Sequence, residues 1–260
     1  MELDKIYCED CRDTMVRIGG MIDCVLTSPP YNTQGHHGSD ISKHQQLYES
    51  YGDDMTEEEY CEWTCRLFDG FDNVLKPNGS VLYNISYSSK QPWTLWNLIA
   101  DIQRNTVFTV SDCIIWKKRN ALPNTESPNK LTRICEYVFV FCRKSELQTF
   151  NCYKEKGVGK NSGQQTYRNY FNFIEAPNND ENCPIHKATF SSVLVEKLLL
   201  LYTKRSDVVY DPFMGTGTTA IGCIKQNRHY IGSEISQRYV NWAQERIEKE
   251  NSQLKFDFGF

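Results

Sequence analysis

Residues 207–227, DVVYDPFMGTGTTAIGCIKQN, run an apolar strand into a glycine-threonine turn and out into a helix. Gly215 and Gly217 let the backbone turn tightly and approach a ligand. Thr218 and Thr219 fall at the helix start, where unpaired N–H groups face outward. Ala220 stands where a dinucleotide fingerprint needs its third glycine, and no Gly-Lys-Thr comes after it to make a phosphate loop. About twenty residues on, Glu234 ends the strand YIGSE, where doubly wound folds commonly hold ribose hydroxyls with an acid.

The rest of the chain repeats this alternation. Ile6 and Tyr7 form a short strand, and DCVLT at 23–27 is an apolar run of buried-strand type. A helix is predicted from Thr56, with Glu59 at capping-box spacing and Tyr60, Trp63, Leu67, Phe71 and Val74 on one face. Lys-Pro-Asn-Gly at 76–79 reads as a turn before the strand SVLYNI, 80–85, and residues 92–104 as a helix. Further strands are predicted at 112–116 and 135–142, helices at 191–203 and 237–250. Between them, 143–183 is rich in Asn, Lys, Tyr and Gly and shows little apolar periodicity. Strands alternating with helices point to an α/β fold with a mainly parallel sheet. At 260 residues this is one large domain, or one with an insertion.

The second notable stretch is VLTSPPYN, 25–32. Two consecutive prolines end regular strand pairing and stiffen the loop. They are flanked by a hydroxyl, Ser28, and an aromatic ring, Tyr31. Alone, such a stretch is equally a strand-ending turn.

The two stretches together resemble the S-adenosylmethionine-dependent amino-methyltransferases of DNA. DPFMGTGTT looks like their donor-binding motif and TSPPYN like their [DNS]-P-P-[YF] catalytic motif. The catalytic motif comes first, an order similar to the β class. The resemblance covers nearly all of the chain except 33–55 and 143–182. It implies a Rossmann-like methyltransferase of permuted motif order, with a mainly parallel sheet flanked by helices. Residues 1–142 would form the catalytic half, 143–182 an inserted recognition segment and 183–260 the donor-binding half. It implies S-adenosylmethionine contacts at Asp211, Phe213, Met214, Gly215, Gly217, Thr218, Glu234 and Ile235. Asp10 and Cys11 inherit an adenine-contacting position, and Phe190 a donor-facing one. Lys187 comes after His186 where the family often has proline.

The chemistry suits these residue types. An exocyclic amine is a poor nucleophile, so it must be held in line with the methyl group, within about 3–3.5 Å. Acceptors must meet its hydrogens as charge develops on nitrogen. Ser28 Oγ and the Pro29 carbonyl are candidate acceptors, Pro29 and Pro30 keep them fixed, and Tyr31 offers a face on which an extruded base can stack. In the family, serine at the first motif position is associated with cytosine N4 and aspartate with adenine N6. Cytosine N4 is therefore favoured, with adenine N6 the alternative. An RNA methyltransferase or a non-catalytic DNA-binding module are further readings. Methylation at cytosine C5 is disfavoured, because no Pro-Cys dipeptide offers a nucleophile.

Charge points the same way. The chain carries −4, but Lys117 to Arg168 holds eleven Lys and Arg against four Glu, which is +7 and leaves −11 elsewhere. Lys117, Lys118, Arg119, Lys154, Lys156, Lys160 and Arg168 are candidate contacts to double-stranded DNA, interleaved with Tyr153, Tyr167 and Tyr170. The polar stretch 33–54, with His36 and His37, is a candidate loop over DNA or the base. A homodimer and a restriction endonuclease are partners consistent with the resemblance. The eleven cysteines, an odd number without a secretory leader, read as reduced thiols in a cytoplasmic or nucleoid-associated protein. Cys8 and Cys11 form one CxxC without a second pair, so no metal set is visible. No apolar run approaches membrane-spanning length.

Overall fold

In the computed structural model, residues 1–32, 55–87, 92–121, 123–125, 128–158, 164–178 and 191–258 are described, side chains to 253. Among them, eight strands form one sheet: β1 (Lys5–Cys8), β2 (Ile22–Thr27), β3 (Leu75–Ile85), β4 (Phe108–Lys118), β5 (Cys135–Arg143), β8 (Phe173–Ala176), β9 (Val208–Asp211) and β10 (His229–Glu234). Their order is β1-β10-β9-β2-β3-β5-β4-β8. Within this sheet only β5 runs antiparallel to its neighbours, β3 and β4. A separate two-stranded hairpin joins β6 (Lys156–Val158) to β7 (Gln165–Tyr167).

Side chains alternate across this sheet, and each face takes its own helices. Val25, Val81, Tyr83, Phe139, Phe141 and Tyr210 pack with α1 (Cys11–Ile18), α2 (Glu57–Val74) and α3 (Thr94–Asn105). Their neighbours Cys24, Leu26, Leu82, Val138, Val140 and Val209 pack with α4 (Ser192–Tyr202), α5 (Thr218–Lys225) and α6 (Gln237–Phe258). The result is the Rossmann-like, mainly parallel arrangement the sequence predicts.

The helix from Thr56 forms as its pattern requires. Thr56 Oγ1 accepts the Glu59 N–H and the Glu59 carboxylate accepts the Thr56 N–H, closing both halves of the capping box. Three features differ from the sequence expectations. Helix α1 comes directly after β1, capped by Asp10. β3 spans Leu75–Ile85, but its register with β2 jumps from Leu75 opposite Ile22 to Ser80 opposite Cys24, so the turn at Lys-Pro-Asn-Gly bulges out of the pairing inside the strand, with Asn78 at φ +62°. The irregular stretch after Arg143 contains the exposed hairpin β6–β7, while β8 adds to the sheet edge beside β4.

Candidate active site

β2 and β9 are parallel neighbours, with Cys24 opposite Val209 and Val25 opposite Tyr210. From this pair the chain order diverges: β10 and β1 lie to one side, β3, β5 and β4 to the other. Ligands of open α/β sheets bind beyond the strand C-termini where the order reverses in this way. The Ser-Pro-Pro-Tyr stretch leaves β2 there, and the glycine loop leaves β9 beside it.

A buried carboxylate ties the two loops together. Asp211, 3% exposed, accepts hydrogen bonds from Thr27 Oγ1 at 2.8 Å, Thr219 Oγ1 at 2.6 Å and the Phe213 N–H at 3.0 Å. Burial pushes its carboxyl up to about 6, with the three hydrogen bonds opposing. Asp211 thus braces the start of both loops from below.

The Ser-Pro-Pro-Tyr stretch, here called the clamp, is anchored on several sides. The Tyr60 hydroxyl donates to the Pro30 carbonyl at 2.8 Å. Asn32 Nδ2 donates to the Met55 carbonyl at 2.6 Å. Ser28 Oγ lies 3.1 Å from the Tyr31 hydroxyl, which donates to Glu136 Oε2 at 3.0 Å. Asn84 Nδ2 reaches Tyr31 Oη at 2.6 Å, Glu136 Oε2 at 2.9 Å and Ser28 Oγ at 3.3 Å. Lys118 Nζ donates to Glu136 Oε1. Ser28 and Tyr31 are half-buried, Pro29 and Pro30 buried.

Asn84, Glu136 and Lys118 are residues to which sequence reasoning assigns no place beside the clamp. Asn84 and Lys118 each lie two residues beyond an apolar residue of their strands, Leu82 and Trp116, and Glu136 lies two before Val138. Glu136 sits opposite Trp116, and Asn84 opposite Val138. The three therefore form a polar row across the sheet, ending the face that packs on α4–α6. The register makes this row, so nothing local in the sequence announces it.

In the glycine loop, Gly215 and Gly217 have φ of +54° and +86°, the left-handed conformations their residue type permits. A Cβ on Gly217 would lie 2.9 Å from Ala243 Cβ, so the glycine also lets α6 approach the loop. Arg246 Nη1 donates to the Thr216 carbonyl at 2.6 Å and holds the loop from outside. Glu234 Oε2 accepts the Gly215 N–H and Oε1 the Ser236 N–H, each at 2.9 Å. Burial raises its carboxyl above the ordinary range, and those N–H groups oppose the shift. Met214 is buried over Gly232, Phe213 packs its ring on Trp63, and Ile235 is exposed. Thr218 opens α5.

Asp10 lies at the end of β1, whose Cys8 pairs with Glu234. Its carboxylate caps α1 and forms a two-pronged pair with Arg12, which holds it below the ordinary carboxyl range. Cys11 opens α1 and is buried, and burial pushes its thiol up to about 12. Phe190, His186 and Lys187 lie outside the described residues, as do Lys160 and the whole stretch 33–54.

The basic candidates divide. Lys118 turns inward to Glu136, with a side chain 18% exposed. Lys117 and Arg119 pair with Glu175 at 3.1 and 3.6 Å. Arg168 pairs with Glu155 at 3.0 Å and lies over the Tyr170 ring. Lys154 lies over the Tyr167 ring, and Lys156 is on the exposed β6. Val158, Tyr167, Phe171 and Phe173 expose apolar surface in the same region. No helix among the described residues is long and apolar enough to cross a membrane.

Known proteins resemble this chain in sequence and in fold. The type II methyltransferase M.BglII of Bacillus subtilis is 27% identical over 258 residues, covering 93% of this chain and 68% of its own. M.XycI of Xanthomonas campestris pv. cyanopsidis, also a type II methyltransferase, is 26% identical over 90% of this chain and 84% of its own. Among solved structures, the cytosine-N4-specific PvuII DNA methyltransferase superposes with a TM-score of 0.70 at 18% identity, over 95% of this chain and 90% of its own. The M1.HpyAVI–SAM complex does so with a TM-score of 0.61 at 21% identity, over 93% and 98%. The DNA methylase family model matches residues 22–245, and the chain belongs to that family: it is a DNA methyltransferase of the N4/N6 amino-methyltransferase type.

Proposed function

We propose that this chain methylates the exocyclic N4 of cytosine in double-stranded DNA, on a base flipped out of the stack, with S-adenosylmethionine as donor. The observation that carries the reading is Ser28: a neutral hydroxyl, anchored by Tyr31 and Asn84, at the end of β2 and braced to the glycine loop through Thr27 and Asp211.

The residues present fit the donor. Three adjacent parallel strands, β1, β10 and β9, end in an acid, an acid and a glycine loop respectively. Glu234 meets the Gly215, Ser236 and Ile235 N–H groups, and a carboxylate has about four lone-pair directions, so capacity remains for a ribose hydroxyl. Gly215, Gly217 and Thr218 would form the wall against the donor, with Phe213, Met214 and Ile235 its apolar lining and Asp10 and Cys11 at the adenine end. Bound S-adenosylmethionine supplies a methyl carbon activated by its sulfonium.

Ser28 and the Pro29 carbonyl accept hydrogen bonds from the target amine and fix the direction of its lone pair. As the N–C bond forms, the donor's C–S bond would break with its electron pair going to sulfur, so positive charge passes to nitrogen and these acceptors strengthen their hold. The methylated amine, strongly acidic while it carries the surplus proton, then gives that proton to water. Tyr31 stacks on the base, while Tyr60 holds the Pro30 carbonyl so that the loop does not relax. The segment 143–182, with its exposed hairpin and Lys154, Lys156 and Arg168, reads the DNA between the catalytic and donor halves. Likeness to type II methyltransferases supports a modification role beside an endonuclease of the same recognition site.

Nucleoside mass spectrometry of DNA from cells expressing the chain tests the reading. N4-methylcytosine should appear with the intact protein and vanish with Ser28→Ala. N6-methyladenine in its place would overturn the base assignment.

A further inference from the structure

A serine hydroxyl donates one hydrogen bond and accepts two. Ser28 must accept from the amine, so its own proton has to be directed elsewhere. Tyr31 Oη lies 3.1 Å away, and that contact alone fits either oxygen as donor. Glu136 decides between them. Its Oε2 receives the Asn84 amide N–H at 2.9 Å and its Oε1 receives Lys118 Nζ. Amide and ammonium nitrogens donate only, so both oxygens of Glu136 act as acceptors. The Tyr31 proton therefore points to Glu136 Oε2, 3.0 Å away. The Tyr31 oxygen meets its other neighbours with lone pairs: Asn84 Nδ2 at 2.6 Å and the Ser28 hydroxyl. Ser28 thus spends its proton inside the protein.

We propose that Glu136 is a positioning residue for methyl transfer. It orders a one-way relay, Ser28 to Tyr31 to Glu136, so that Ser28 turns an acceptor and not a donor toward the target amine. The relay rests on the proposed role of Ser28 facing the amine. Asn84 and Lys118 hold the carboxylate at the relay's end. Both are spaced for it by the sheet, as Glu136 lies opposite Trp116 and diagonal to Asn84 and Lys118.

Labelled-methyl transfer to DNA, with kcat and KM for both substrates, tests the relay in wild type, Glu136→Gln, Glu136→Asp, Tyr31→Phe and the Tyr31→Phe/Glu136→Gln pair. Glutamine keeps the shape of Glu136 but can turn an N–H to Tyr31, which then turns its proton to Ser28. Glu136→Gln should lose kcat by at least about tenfold, the scale on which outer hydrogen-bond partners act, with KM values unchanged. Glu136→Asp, shorter but still a pure acceptor, should keep more kcat than Glu136→Gln. In the Tyr31→Phe background the relay is already cut, so Glu136→Gln should cost nothing further. Wild-type kcat in Glu136→Gln, a better Gln than Asp variant, or multiplying losses in the pair would overturn the relay. If Glu136→Gln does not fold, Tyr31→Phe decides: it keeps the ring but removes the acceptor for the Ser28 proton. A tenfold fall in its kcat at unchanged KM supports the relay, and wild-type kcat overturns it. Product identity is read separately on wild type: N6-methyladenine would sink the cytosine assignment while the ranking of variants still judges the relay. Wild-type kcat in Ser28→Ala would remove clamp and relay together, whereas a crippled Ser28→Ala beside an unaffected Glu136→Gln removes the relay alone.

Discussion

Replacing Asp211 with asparagine should stabilise the folded protein at neutral and alkaline pH. Asp211 lies in the interior with three donors on its carboxylate, yet burial outweighs them and raises its carboxyl from 3.8 to about 6. Between those values the folded chain binds the proton more tightly than the unfolded chain. Stability contributed by that proton is therefore fully present below about 4 and lost as pH rises through about 6. A difference of roughly two pH units corresponds to about 3 kcal/mol in all. From pH 8 to pH 5 the folded state takes up most of its proton and the unfolded state little, which is worth about 1.4 kcal/mol. Asp211→Asn has the same shape and stays neutral throughout. Its Oδ1 can accept from Thr27 and Phe213, and its Nδ2 can donate to Thr219 Oγ1. The variant should exceed wild type by about 1–3 kcal/mol at pH 8, and the gap should shrink by about 1.4 kcal/mol at pH 5. Urea unfolding of both proteins at several pH values measures this, and other carboxyls, Glu234 included, largely cancel in the difference. A gap that stays flat, or that widens toward acid, refutes the reasoning.

Two further outcomes are expected. Gly217→Ala places a Cβ 2.9 Å from Ala243 Cβ at a φ of +86°, so it should cost on the order of 1–3 kcal/mol in thermal or urea unfolding. It should also weaken donor binding in calorimetry, and unchanged stability would show that α6 yields easily. Lys154→Ala and Lys156→Ala should each lower the slope of log affinity against log salt by about one, measured by anisotropy on duplex DNA. An unchanged slope would take the hairpin away from the phosphates.

Much of the fold is legible because its signals are local. The capping box at Thr56 and Glu59, the glycine turn after a strand and the double proline each act within a few residues, and each appears where the pattern places it. Helix α1 escapes pattern reading because it is only eight residues long and one of its four buried positions, Thr14, is polar. Lys-Pro-Asn-Gly has turn chemistry and does leave the pairing, but as a bulge between Leu75 and Ser80 inside β3, with one left-handed residue. The polar row is illegible for a different reason. Asn84 and Glu136 are single polar residues near the ends of apolar strands, and only the antiparallel register of β3, β5 and β4 makes them neighbours. Asp211 illustrates the converse: its motif is plain, while its brace to Thr27, 184 positions away, depends on which strands pair.

The position of β1 bears on how such a chain is made. β1 leaves the ribosome long before β10, yet β10 is its partner at the sheet's outer edge. β9 must likewise find β2 after a long intervening stretch has been synthesised. Contacts between segments this far apart are slow to form, because the loop between them must close before anything rewards its lost freedom. The proposed donor side of the cleft therefore assembles only after Glu234 has been translated. With the donor held as proposed, a nascent chain carries its Ser-Pro-Pro-Tyr clamp long before it has anywhere to hold a methyl group, and the enzyme is born inactive until β9 and β10 reach the strands made before them.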